Sequence, residues 1–99
     1  MNVQELLFRC ANDALSALGE PTMQSLLWHM GNAGVKMAPN EFDIKKFYSA
    51  LYDMTGGGAD IIMEIIARQM AAELGLELDA KAPGLDKVLE VLRAAQKVE

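Results

Sequence analysis

Five stretches of this chain repeat apolar residues at spacings of three and four, and nearly every stretch is bounded by glycine or proline. That period places the apolar residues on one face of an α-helix, and punctuation of this kind starts and stops helices. Residues 2–18 set Val3, Leu7, Cys10, Ala14 and Ala17 in line, with Leu6 and Leu18 widening the stripe, and Gly19 follows as the expected left-handed end. Pro21 suits the first position of a second helix, striped by Met23, Leu26, Leu27 and Met30 and ended by the glycines of 31–34. Asn40 is the expected N-cap of a third, with Glu41 and Asp43 favouring its positive end and Ile44, Phe47, Tyr48, Leu51 and Met54 recurring along it.

The fourth stretch, 58–74, carries Ile61, Ile62, Ile65, Ile66, Ala67, Met70 and Leu74. It is apolar around more than one stripe, which predicts the central, most buried helix. Gly75 closes it. A fifth helix, opened by Pro83, has Leu85, Val88, Leu89, Leu92 and Ala95 on one face and Asp86, Lys87, Glu90, Arg93 and Lys97 on the other. Only the short "LGLELD" segment offers an extended alternative. The expected fold is all-α, a compact bundle of four to five helices in one domain. Residues 1–76 form the main bundle, 77–84 a linker and 85–97 a C-terminal helix.

With 99 residues, a single core can form without staples. The net charge of −5 and the scatter of the nine Lys and Arg oppose a phosphate backbone, so no nucleic-acid partner is expected. Cys10 is the one cysteine, which excludes an internal disulfide or a cysteine-based zinc site and suits a reducing compartment. No secretory leader is read at the N-terminus, and no apolar run nears the ~18 residues that span a membrane. The expectation is a cytoplasmic protein.

Gly56-Gly57-Gly58 before an apolar helix raises the question of a phosphate loop. A Walker-type loop needs a following Lys-Ser/Thr and a preceding strand. Here Ala59-Asp60 follows, a helical pattern precedes, and Asp53 and Asp60 flank the run with the wrong charge. A helix–helix turn is the expected role. His29 has Ser25 and Ala33 at helical spacing rather than a second ligand, so a surface or rim histidine is expected. Trp28 either closes the core edge, the favoured reading, or faces a partner. Asp60 and Glu64 share a helix face, but Arg68 one turn on makes a surface ion-pair ladder. The seven methionines read as core filling. No nucleophile stands with its base, and no metal or cofactor set is legible, so no enzyme and no cofactor is expected.

Two segments, "ALSALGEPTMQSLLWHM" and "FDIKKFYSALYDMTGGGADIIMEIIARQMAAELGL", resemble the Nitrosopumilus output domain family. Leu18, Gly19, Leu27, His29, Phe47, Leu51, Gly58, Ala59, Ile62, Ile65 and Leu74-Gly75-Leu76 carry the likeness, which covers roughly residues 12–76. The triple glycine and the fifth helix depart from the family pattern. The resemblance implies a small archaeal signal-output module without catalytic residues.

The leading expectation is a non-catalytic interaction or signal-output module with a protein partner or a second copy of itself. Its interaction residues are expected to be Trp28, His29, Leu85, Val88, Leu89 and Leu92. Removing residues 80 to 99 is expected to leave a folded bundle and abolish self-association. The alternative is a sensor holding an apolar small molecule in a Met- and Ile-lined gap, with Tyr48, Tyr52 or His29 at the rim.

Overall fold

The computed structural model describes residues 2–78 and 82–98, with side chains to Ala95 in the last helix. Five helices follow in chain order: α1 (Val3–Ser16), α2 (Glu20–Asn32), α3 (Ile44–Thr55), α4 (Gly58–Leu74) and α5 (Gly84–Val98). No strand forms among the described residues, and Leu76–Leu78 run as irregular chain. The all-α bundle is as the periodicity predicts.

Local chemistry sets the helix ends. Asn2 Oδ1 accepts from the Gln4 amide at 2.8 Å and so caps α1. Gly34 at φ 83 lets the chain turn out of α2, and the Val35 amide bonds back to the Met30 carbonyl at 2.9 Å. This is a Schellman end, with Val35 and Met30 both buried beneath it. Gly75, left-handed at φ 69, ends α4 the same way, with the Leu76 amide on the Ala71 carbonyl. Gly19 differs from expectation. Its φ of 94 and ψ of 151 are not a left-handed helix end; it is the extended residue that starts α2. The last turn of α1 closes on Ala17 instead.

Asp43, not Asn40, caps α3, accepting from the Lys45 and Lys46 amides at 2.9 and 3.4 Å. Phe42 explains the shift. It precedes the cap, is 4% exposed, and its ring lies 5.2 Å from Phe47 in the first turn of α3. Such a hydrophobic staple fixes the angle at which a chain enters its helix. Phe8 of α1 meets the same ring edge-on at 5.6 Å, and Gln4 Nε2 donates to the Phe42 carbonyl at 2.7 Å. The long α2–α3 connection is thereby pinned to α1 just before α3 begins.

α4 is the central helix and packs against α1, α3 and α5. Its buried face is Ala59, Ile62, Met63, Ile66, Ala67, Met70 and Ala71. Burial stops there. Ile61 and Ile65 are 64% and 43% exposed, so the second apolar stripe expected to sink this helix points outward.

α5 docks on its own bundle, with Val88, Val91 and Ala95 in the core. Removing the C-terminal helix would therefore open the core, and a truncation that leaves the bundle intact is not what this packing allows. The helix is also rotated from its expected face. Gly84, Lys87, Val88, Val91 and Ala95 are buried, while Leu85, Leu89 and Leu92 are only half-buried. Gly84 sets that rotation, and it opens α5 rather than ending the linker. A Cβ there would collide with the Asp60 carbonyl oxygen and stand 2.9 Å from Met63 Cβ. Only glycine lets the two backbones approach so closely. Of the expected linker, 79–81 lie outside the described residues, as does the side chain of Lys97.

Gly84→Ala is expected to cost about 1–3 kcal/mol of stability through overpacking against backbone that cannot yield. Gly31→Ala is the control, since an added Cβ there meets nothing within 4 Å. It should gain up to about 1 kcal/mol from helix propensity. Urea denaturation of both variants checks the pair.

Candidate functional site

The residues expected to do chemistry are engaged in holding helices together. Glu64 on α4 accepts from Lys87 Nζ at 2.7 Å and from Arg68 at 3.1 Å. The Arg68 pair is the expected surface ladder; the Lys87 pair is not. Lys87, read from its spacing as part of a solvated face, keeps only 7% of its side chain exposed. Its side chain lies in the α4–α5 seam, with the ammonium held on Glu64. These two bonds, first from Lys87 and then from Arg68, hold the Glu64 carboxyl below its ordinary value of 4.5.

Asp60 takes a hydrogen bond from the Tyr48 hydroxyl at 2.8 Å, tying α3 to α4. That bond, with some desolvation, raises the Tyr48 phenol above its usual value. Cys10 is wholly buried on α1, and its thiol lies 3.8 Å from Glu73 of α4, which also pairs with Arg9. Burial first, and then the Glu73 charge, push the thiol from 9.0 up to about 11. A nucleophilic cysteine needs the opposite shift. Among the described residues no three His, Cys, Asp or Glu side chains gather as a metal site. No helix of the described chain is long and apolar enough to cross a membrane.

The glycine run is a turn. Gly56, at φ 58, ends α3 with its amide on the Tyr52 carbonyl, and the Ala59 and Asp60 amides bond back to Gly56 and Gly57. Those two donors at the start of α4 are already used.

The structure separates the expected interaction residues. Trp28 is 73% exposed on the outer face of α2, against the favoured core-edge reading. α2 buries only Leu26 and Met30, and its one tryptophan falls outside that narrow stripe. His29 beside it is half-buried. Val88 is fully covered within the bundle, and Leu85, Leu89 and Leu92 pack partly against the core. Of the α5 stripe, Val88 is thus taken up in cis, while Leu85, Leu89 and Leu92 keep part of their surface open. Ile61 and Ile65, missed as surface residues, stand one turn apart on the open side of α4. Their exposure was legible: Arg68 lies two turns beyond Ile61 on the same helix face, so that side had to meet water.

An open cleft of about 340 Å³ lies between the C-terminal end of α2 and α3, lined by Ala33, Gly34, Lys46, Ser49, Ala50 and Asp53. Its lining is small and polar rather than Met and Ile. No family model matches the chain, and neither a curated protein nor a solved structure does.

Three tests follow from these groups. Lys87→Met should stay closer to the parent in stability than Glu64→Ala, because the latter strands a buried ammonium. The lowered Glu64 value means its contribution is present above about pH 4.5 and is lost as pH falls through the folded-state value. Urea midpoints of parent and Glu64→Gln at about pH 6 and about pH 3 should therefore converge on the acid side. Cys10 should resist a disulfide reagent in the native protein and react at the rate of unfolding; rapid native labelling would contradict its burial.

Proposed function

We propose that this chain is a non-catalytic interaction module of the signal-output kind, acting through apolar side chains left on the outside of its bundle. One observation carries this reading: the single tryptophan is spent on the surface, 73% exposed, where it adds nothing to the core. Tryptophan is enriched at the energetic centres of protein interfaces. Ile61 and Ile65 on α4 are further apolar surface of the same kind. The engagement of Cys10, Asp60 and Glu64 in helix–helix contacts supports a scaffold over a catalyst. The resemblance to the Nitrosopumilus output domain family supports an archaeal signalling role, and a lone, unbridged cysteine suits the cytoplasm. The partner in this reading is a second copy or another protein, and the interface centres on Trp28 rather than on α5.

Because Trp28 is the only tryptophan, its emission reports this surface directly. The expected result is a blue shift with rising protein concentration, in step with a dimer in native mass spectra. Trp28→Ala should remove the dimer while changing stability by no more than about 0.5 kcal/mol. Emission of a fully solvated indole and a bare monomer at every concentration would sink self-association.

A further inference from the structure

We propose that the cleft between the end of α2 and α3 binds a short zwitterion, of the size and charge pattern of a dipeptide. Four of its lining residues, Ala33, Gly34, Ser49 and Ala50, are small, which is why a hollow exists there. The lining includes one cation and one anion, Lys46 and Asp53, both on exposed turns of α3. Among the described residues neither side chain joins an ion pair. They stand seven positions apart, beyond the three or four at which helix side chains meet, so they do not neutralise one another.

The field along the cleft is ordered. Lys46 sits in the first turn of α3, whose N-terminus is already capped by the Asp43 carboxylate, so the Lys46 ammonium itself is the positive charge the cleft offers. Asp53 lies in the last turn, at the negative end. Ala33 caps the C-terminus of α2 and brings a second negative helix end to the facing wall. A carboxylate is therefore favoured beside Lys46, with the Ser49 hydroxyl as a further donor, and an ammonium beside Asp53. The helical rise sets Lys46 and Asp53 about 10 Å apart at their Cα atoms. An extended dipeptide spans roughly 7 Å, so the two side chains need only lean inward to meet its ends. A single amino acid, with both charges on one carbon, is too short to use both. The volume, about 340 Å³, is at the small end of ligand sites and fits such a molecule. Both charges are solvated, so the affinity is weak, with a dissociation constant on the order of 1 mM.

The test is an amide chemical-shift titration of the full chain with L-alanyl-L-alanine, its N-acetyl derivative and its C-terminal amide. The dipeptide is expected to move the amides of Gly34, Lys46, Ser49 and Asp53 saturably. Each capped form should bind about two- to fivefold more weakly, the range of one exposed ion pair. Lys46→Met should erase the preference for the free carboxylate alone, and Asp53→Asn the preference for the free ammonium alone. Both positions are exposed, so the variants keep the fold, and spectral dispersion confirms it. Absence of saturation, shifts centred elsewhere, or equal binding of all three compounds would overturn the proposal. The Trp28 reading is tested separately, since its emission should not respond to the dipeptide.

Discussion

The contact between Gly84 and the α4 backbone at Asp60 governs much of this molecule. Two helices that touch at a glycine can approach closely, and the point of contact sets how each is rotated. Once Gly84 is against Asp60, the next turns of α5 bring Lys87 and Val88, then Val91, onto α4. Lys87 is thereby forced into the seam, and burying its charge demands a partner. Glu64 is the carboxylate in reach. Asp60 itself is held from the other side by the Tyr48 hydroxyl, so α3, α4 and α5 are fixed around one turn of α4. The exposed surface follows from the same arrangement. With α1, α3 and α5 on the other sides of α4, the face of Ile61 and Ile65 is what remains open.

Helix number, order and approximate bounds were legible in the sequence, because periodicity and glycine placement are local properties. Gly34 and Gly75 act as read, since a left-handed residue after an apolar period has few other uses. The failures share a cause. Asn40 is as good a capping residue as Asp43 when viewed alone, and what selects Asp43 is the packing of Phe42 on Phe47 and Phe8, a contact between distant positions. Gly19 carries the positive φ its identity suggests but serves the helix after it, which the sequence cannot order. On α5, Leu85, Leu89 and Leu92 make the more apolar stripe, yet the buried one runs through Gly84 and Lys87. A glycine contributes nothing to a hydrophobic pattern, so its power to choose a face is invisible until the opposing backbone is known.

The surface was harder to read than the core for a related reason. Trp28 falls on the apolar side of most scales, and single-sequence reasoning puts such residues inside. α2, however, touches the bundle along a stripe only wide enough for Leu26 and Met30, with Met23 and Leu27 at its margins. The narrowness of that contact is a tertiary fact. The outward residues of α4 were legible, since Ile61 and Arg68 share a face and the Arg68 guanidinium requires water there.

The distribution of charge separates what this fold uses for itself from what it leaves available. Arg9, Glu64, Glu73 and Lys87 pair between helices, and Asp60 accepts from a tyrosine. Their removal would loosen the bundle before it altered any binding. Lys46 and Asp53 lie on exposed turns of α3 outside those seams, and Trp28 lies outside the α2 stripe. Side chains that stabilise nothing in the fold are free to vary without structural penalty, so they are the places where a binding role can be carried at little cost to stability. In a domain whose interior is this fully engaged, function is best sought at such unpaired charges and uncovered apolar side chains.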